Sequence, residues 1–364
     1  MDMRLTNEDS RPVDVALCVD EAALVRLRPV LRHLCVALVD HPVRLRLLSS
    51  TREIEALTLG PVQAVVHRRI RWPVAARRLA ELIEGLRADA PDVIHAASAE
   101  SFDLASELAR ALDAELLLDI SSRTDVERTA RLVTPRSPHL IAFSEPLVEL
   151  LLRIRTVAPN CVDLVRPGVI ASKETACFAD AQRRPTIVSV HPLSRETRAG
   201  ALITALARLR DEGLEFSAFL LGQGSGEPGL RRQVRGERLT THVTFAALQA
   251  GIGDVFEEAD ILAVCQPLQE VSIRVLQAMA AGMLVVAPPS AVHDALKPDE
   301  TALIVSDGSP AALAAGLREA LTDRERARRL AEAGQIYVRE HHTVSAMAER
   351  TAEVYRRVRA HAAA

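Results

Sequence analysis

The stretch Ala259–Ala287, A-D-I-L-A-V-C-Q-P-L-Q-E-V-S-I-R-V-L-Q-A-M-A-A-G-M-L-V-V-A, decides how the chain is read. Asp260–Cys265 is a short apolar run bounded by polar residues and predicts a buried strand. Ser272 is placed to cap a helix over Ile273–Ala281 that stops at Gly282. Met283–Ala287 predicts a second buried strand, closed by Pro288 and Pro289. Strand, loop, helix and strand make a βαβ unit, and the loop turns backbone N–H groups toward a place where a phosphate fits.

Working outward, the same alternation fills the chain. Val13–Val19, Leu45–Leu48, Val93–His95, Glu115–Asp119 and Leu140–Ala142 predict short buried strands. Pro29–Leu38, Ala75–Leu86, Ser101–Leu112 and Pro146–Arg155 predict the helices between them. Such alternation implies a doubly wound parallel sheet. The pattern restarts at Pro185, which makes Val169–Arg184 the linker between two α/β domains, over 1–168 and 169–343. Residues 344–364 form a last helix, read over Val344–Arg359.

Composition agrees. A chain of 364 residues suits two domains of ordinary size. Apolar residues reach 48% but aromatics only 3%, so Leu, Val, Ile and Ala must fill the core. A net charge of -3 argues against nucleic acid as a partner, because neutralising phosphates needs a basic excess. Cys18, Cys35, Cys161, Cys177 and Cys265 form no C-x-x-C pair, which favours buried thiols in a reducing cytoplasm over disulfides or zinc. Met1–Asp14 has no apolar leader core, and no apolar run is long enough to span a bilayer.

The opening stretch resembles the donor-binding core of the GT-B glycosyltransferases of retaining family 4, whose line reads A-D-x-x-x-x-P-S-x-x-E-x7-E-A-M-A-x-G-x-P-V-V-A. The chain matches it at Ala259-Asp260, Ala278-Met279-Ala280, Gly282 and Val285-Val286-Ala287. Similar segments flank it: Ser217–Gly224 resembles the family's strand ending in G-x-G, Val243-Thr244-Phe245 its V-x-F, and Thr301–Val305 its G-L-L-V. Upstream, Pro91–His95 resembles P-D-V-V-H, while Ala142–Glu145 and Val165–Val169 resemble the S-E and P-P-G-V segments. The resemblance implies a GT-B fold, α/β, with two Rossmann-like doubly wound domains facing a cleft: an N-terminal acceptor side, a C-terminal donor side, and a last helix crossing back to the first domain.

Departures from the family pattern fall on the residues that would carry the chemistry. The glutamates of E-x7-E are replaced by Gln269 and Gln277, with Glu270 one residue from the first. The resemblance implies donor-sugar contact at Gln269, ribose contact at Gln277, and backbone or cap contacts from Glu270, Val271 and Ser272. The family's G-R-x-x-x-x-K-G loop reads His191–Gly200 here, with Pro192 in the Arg place and Ala199 in the Lys place. Arg195 and Arg198 are the nearby cations whose planar fork suits a diphosphate; a solvated loop in which both pair with Glu196 is the alternative. Only Gly60 and Gly85 of 16 glycines precede Gly168, so close backbone approach to phosphate belongs to the second domain.

Other features compete. Gly224–Gly229 spells G-x-G-x-x-G, but the next strand ends Phe245-Ala246-Ala247 without the ribose-binding carboxylate of a dinucleotide site. Gly222 and Gly224 are read either as a turn or as donor contacts. His95 ends a strand expected to face the cleft and is a catalytic candidate, although the family's second His is Ala97. Asp20, Glu21, Ser98 and Glu100 are unranked acceptor candidates. Arg68, Arg69, Arg71 and Trp72 form a cationic cluster beside the only Trp, suited either to a solvated helix entrance or to peripheral contact with an anionic membrane.

The expected function is a glycosyltransferase moving a hexosyl group from a nucleotide diphosphate sugar to a hydroxyl acceptor, a saccharide or lipid-linked saccharide, in bacterial polysaccharide or glycoconjugate synthesis. No cofactor or metal is obligatory, since the family's front-face reaction draws on the donor phosphate itself. The alternative is an inactive member that binds a sugar nucleotide or a partner enzyme.

Overall fold

The computed structural model describes residues 11–70, 74–132, 137–180, 182–194, 198–247 and 252–362. The chain divides into two compact units, one of Met1–Gly168 with Thr343–Ala364 and one of Val169–His342.

The first unit carries strands β1 (Val13–Cys18), β2 (Val43–Ser49), β3 (Gln63–Val66), β4 (Val93–Ala96), β5 (Glu115–Ile120), β6 (His139–Ala142) and β7 (Val162–Leu164). They lie in the order β3-β2-β1-β4-β5-β6-β7, every pair parallel. Strands β1, β4, β5 and β6 are buried along their whole length, which is why they read as apolar runs. The outer strands β3 and β7 are half-exposed and carry no such run, so the sequence reading passed over them.

Helices α1 (Glu21–Ala37), α2 (Ala75–Arg87), α3 (Ala99–Leu112), α4 (Arg123–Thr129) and α5 (Glu145–Leu152) connect these strands. The first corrects the expected start at Pro29, which lies inside the helix. Asp20 caps it, its Oδ1 accepting from Ala23 N at 2.9 Å. Ala23, Leu24, Leu27, Val30, Leu31 and Leu34 then bury one face, and that burial outweighs the hydrogen bond lost at Pro29. The polar α4 has little apolar periodicity; its entrance is held by buried Asp125, which accepts from Ala99 N at 3.0 Å and from Ser121 N and Oγ at 2.9 Å.

The second unit carries β8 (Thr186–Val190), β9 (Ser217–Leu221), β10 (Val243–Ala246), β11 (Ile261–Ala263), β12 (Leu284–Ala287) and β13 (Leu303–Ile304), in the order β10-β9-β8-β11-β12-β13, again parallel. Its helices are α6 (Ala199–Asp211), α7 (Glu227–Gly236), α8 (Ile252–Glu257), α9 (Ile273–Ala280), α10 (Pro310–Thr322) and α11 (Arg324–His341). Leu206, Leu209, Leu220, Ile261, Leu284 and Leu317 belong to one largely aliphatic core that also holds Phe178 and Phe216. After α11 the chain re-enters the first unit as α12 (Val344–Ala362), which packs on α1, β1, β4 and β5.

Part of the expected linker is bound into the second unit. Gln335, 2% exposed, donates Nε2 to the carbonyls of Ser172, Glu174 and Ala280, and accepts from Thr175 Oγ1 at 3.0 Å. Ala176 N and Cys177 N donate to the carbonyls of Ala281 and Gly282. Residues 172–177 therefore behave as an outer layer of this unit, a pairing between distant segments that composition does not reveal.

Candidate functional site

In the second sheet β8 has β9 on one side and β11 on the other, so the chain leaves it in opposite directions. The carboxyl ends of β8 and β11 mark the topological switch point, where open α/β sheets leave a crevice between diverging loops. The loop after β8 carries His191–Arg198, and the loop after β11 carries Gln269–Ser272 into α9.

Ser272 caps α9, its Oγ accepting from Val275 N at 3.4 Å, and helix geometry leaves the N–H groups of Ile273 and Arg274 without intrahelical acceptors. Val271 is buried, Glu270 half-buried and Gln269 exposed, while Gln277 is half-buried one turn into the helix. Among the described residues neither glutamine side chain has a hydrogen-bond partner, so both amides remain open to a ligand. Gly282 ends the helix with φ +75, and a Cβ there would stand 2.6 Å from Thr175 Cα.

The glycines after β9 have an internal explanation. A Cβ on Gly222 would collide with the carbonyl oxygen of His191, one on Gly224 with that of Leu193, and one on Gly226 would lie 2.6 Å from the Ser194 carbonyl carbon. Their backbones meet that loop through Leu193 N to Gln223 O at 3.0 Å and Gly226 N to Leu193 O at 2.8 Å. Gly229 meets nothing closer than an Arg232 side-chain nitrogen at 3.8 Å, whereas the third glycine of a dinucleotide fingerprint is there for close helix–strand packing. The G-x-G-x-x-G spelling thus reflects two loops packed backbone to backbone.

That packing fixes His191. Ser189 Oγ donates to Ala263 O at 2.7 Å and stands 3.2 Å from His191 Nδ1 and 3.4 Å from Cys265 Sγ. His191 Nε2 is buried with no partner among the described residues. Burial first, and then the charge of Arg274, push the His191 pKa down to about 4. Arg274 itself is half-buried, with burial lowering its pKa and Glu270 raising it. Neither residue stands out in the sequence, because His191 and Arg274 lie beside the motif positions and not on them.

Of the expected cations, Arg198 is exposed at the start of α6. Its Cδ lies 3.6 Å from the place of a Gly308 Cβ. Asp307 is held below its ordinary pKa by hydrogen bonds from Ser309 and, secondarily, by Arg198. Arg195 lies outside the described residues.

His293 supports α9 from behind, 2% exposed, its Nε2 3.4 Å from Ser272 O and its Nδ1 buried without a partner. Burial lowers its pKa from 6.5 to about 4. The unfolded chain then binds the proton more tightly, so this contribution to stability is full above pH 6.5 and is lost as pH falls toward 4. We expect about 2 kcal/mol of lost stability between pH 7.5 and 5 from this group. Denaturant titrations at both pH values should show that dependence flattened by about this amount in His293→Gln; equal slopes would reject it.

In the first unit, His95 is 1% exposed on β4 between Leu17 and Leu117, and both ring nitrogens are occupied: Nδ1 with Tyr355 Oη at 2.8 Å and Nε2 with Asp119 Oδ1 at 2.9 Å. Both ring nitrogens are engaged within this unit, and the ring ties α12 to the sheet. A cavity of about 560 Å³ opens at the carboxyl ends of β1 and β2, lined by Asp20, Glu21, Glu100 and Asp103 among others. The buried Ser98 hydroxyl donates to Asp20. In the cationic cluster Arg69 pairs with Glu21 and Arg68 is exposed, while Arg71 and Trp72 lie outside the described residues. Among the described residues no helix is long and apolar enough to cross a membrane.

Two doubly wound parallel sheets of seven and six strands define the GT-B class. The model of the family Glycosyl transferases group 1 matches residues 176–336, within the second unit. A glycosyltransferase from Rickettsia africae shares the fold at 14% identity and TM-score 0.75, over 95% of this chain and 98% of that one. HepE of Anabaena, in complex with UDP and glucose, is similar at 16% identity and TM-score 0.74, covering 94% and 98%. Sucrose-phosphate synthase of Thermosynechococcus elongatus gives 17% identity and TM-score 0.75, covering 96% and 100%. Among curated proteins no sequence matches significantly. The family match and the shared fold together support a GT-B glycosyltransferase.

Proposed function

We propose that this chain transfers a hexosyl group from a nucleotide diphosphate sugar to a hydroxyl acceptor, holding the donor at the carboxyl ends of β8 and β11. The observation that carries the reading is the match of residues 176–336 to the group 1 glycosyltransferase model, a segment that contains the switch-point loops and α9. UDP-sugars are the first donors to test, because HepE is seen with UDP-glucose. Gln269 and Gln277 contact sugar and ribose, Glu270, Val271 and Ser272 line the α9 entrance, and Gly222, Gly224, Arg195 and Arg198 border the nucleotide. The reaction needs no protein nucleophile, the departing phosphate taking the acceptor proton. A saccharide or lipid-linked saccharide acceptor, met at the cytoplasmic membrane face through Arg68, Arg69, Arg71 and Trp72, places the reaction in polysaccharide or glycoconjugate synthesis. The retaining family 4 pattern, with its E-x7-E neutralised, is part of this reading.

The neutral corners also favour a second reading, a sugar-nucleotide binder without chemistry. A charge-assisted hydrogen bond contributes about 1.5–3 kcal/mol and a neutral one about 0.5–1.5, so each glutamine costs about 1 kcal/mol and both together about thirtyfold. Such a loss weakens an enzyme without abolishing it. The double variant Gln269→Glu with Gln277→Glu separates the readings: in a transferase it gains about tenfold or more in donor affinity or turnover. In a pocket rebuilt around neutral groups the new carboxylates face the diphosphate, and binding falls. Absence of donor binding in the wild type together with absence of activity in the variant would sink the transferase reading.

A further inference from the structure

The diphosphate of a sugar nucleotide needs a cation, and the two positions that carry one in similar sequences hold Pro192 and Ala199 here. Arg274, the second residue of α9, is half-buried at the switch point. Among the described residues its guanidinium makes no hydrogen bond and no ion pair. A cation withdrawn from water without a partner is unfavourable, and proteins keep one where a ligand supplies the anion. Among the described residues Glu270 is the carboxylate whose charge supports it.

His191 adds the second half of the argument. The Ser189 hydroxyl has a single proton, and Ala263 O, at 2.7 Å, can only accept it. The Ser189 oxygen is therefore left to accept from His191 Nδ1 at 3.2 Å, which places the imidazole proton on Nδ1. Nε2 then carries a bare lone pair, buried and unpartnered. Arg274 lies near enough for its charge to help keep that nitrogen unprotonated. An unpaired cation on the first turn of α9 and a bare proton acceptor at the end of β8, both at the switch point, fit a ligand that bears an anionic oxygen and a hydroxyl.

Resting on the transferase reading, we propose that Arg274 is the diphosphate-binding cation of this site, delivered from α9 in place of the loop after β8, with His191 Nε2 accepting a hydroxyl proton from the same donor molecule. The guanidinium spans two phosphate oxygens as a lysine cannot, and the imidazole selects donors that present a hydroxyl next to the phosphate.

The test measures calorimetric affinity of the full chain for UDP, UDP-glucose and uridine. Arg274→Gln should lower UDP affinity at least tenfold and leave uridine unchanged, with Arg274→Lys in between. The same variant should keep or raise the thermal midpoint without ligand, because it removes an unpaired half-buried charge; an Arg274 held by an internal ion pair would instead leave the variant less stable. His191→Phe should weaken UDP-glucose several-fold more than UDP. UDP binding Arg274→Gln as tightly as the wild type overturns the proposal while leaving the transferase reading intact. A wild type that binds no nucleoside diphosphate at all overturns both.

Discussion

Asp260→Ala should lose about 3–5 kcal/mol of folding stability, the cost of removing one partner from a buried, fully bonded charge. Asp260 is 1% exposed, directly ahead of β11. Its Oδ1 accepts from Phe178 N at 2.7 Å and from Arg183 Nη2 at 3.0 Å, and its Oδ2 accepts from Thr186 N at 2.7 Å. One carboxylate thus joins the end of the 172–178 segment, the approach to β8 and the start of β11. Alanine would orphan the buried amide of Phe178 and the half-buried amide of Thr186, and leave Arg183, which also meets Glu258, with a weaker counter-charge. Asparagine should recover only part of the loss, because its NH2 would face an N–H donor. Denaturant unfolding followed by far-UV circular dichroism measures this; a loss below about 1 kcal/mol would contradict the clamp.

Gly222→Ala should cost about 3 kcal/mol or more, combining backbone strain with overpacking. Gly222 has φ +157, and its missing Cβ leaves the room that the His191 carbonyl occupies. Neither neighbour yields easily: Gly222 N donates to Ala246 O at 3.0 Å, and His191 N donates to Leu221 O at 3.2 Å. The substitution therefore moves the loop that carries His191 as well as destabilising the unit. Donor affinity measured at a temperature where the variant is still folded should fall along with stability. Gly229→Ala is the internal control, since it meets no atom within 3.4 Å and should be close to neutral.

These two residues show where sequence reading succeeds. Asp260 and Gly222 stand in segments whose spelling identified the fold, and both are there for architecture: one bonds three segments, the other lets two loops touch. Patterns of this kind survive because backbone geometry demands them whatever the ligand. Buried central strands were legible for the same reason, since β1, β4, β5, β6 and β12 have no solvent-facing side and must be apolar throughout. Half-exposed β3 and β7 and the polar α4 were not, because their stability comes from neighbours distant in the chain.

The candidate site divides the same way. Ser272 as the cap of α9 and Gly282 as its end follow from local chemistry, and the structure has both. His95 looked available because it ends an apolar run; Tyr355 closes its Nδ1 side across 260 residues of sequence, a contact no spacing rule contains. Arg274 and His191 lie 83 positions apart by their numbers and enter one electrostatic neighbourhood only because β8 and β11 pair. Alternating periodicity and turn residues, which act over a few neighbouring positions, determined from sequence alone that the chain builds doubly wound α/β sheets with a capped helix at α9. Which side chains lose their freedom to packing and which keep an open atom was decided by tertiary structure, because burial and hydrogen-bond satisfaction depend on partners that only the folded chain brings together.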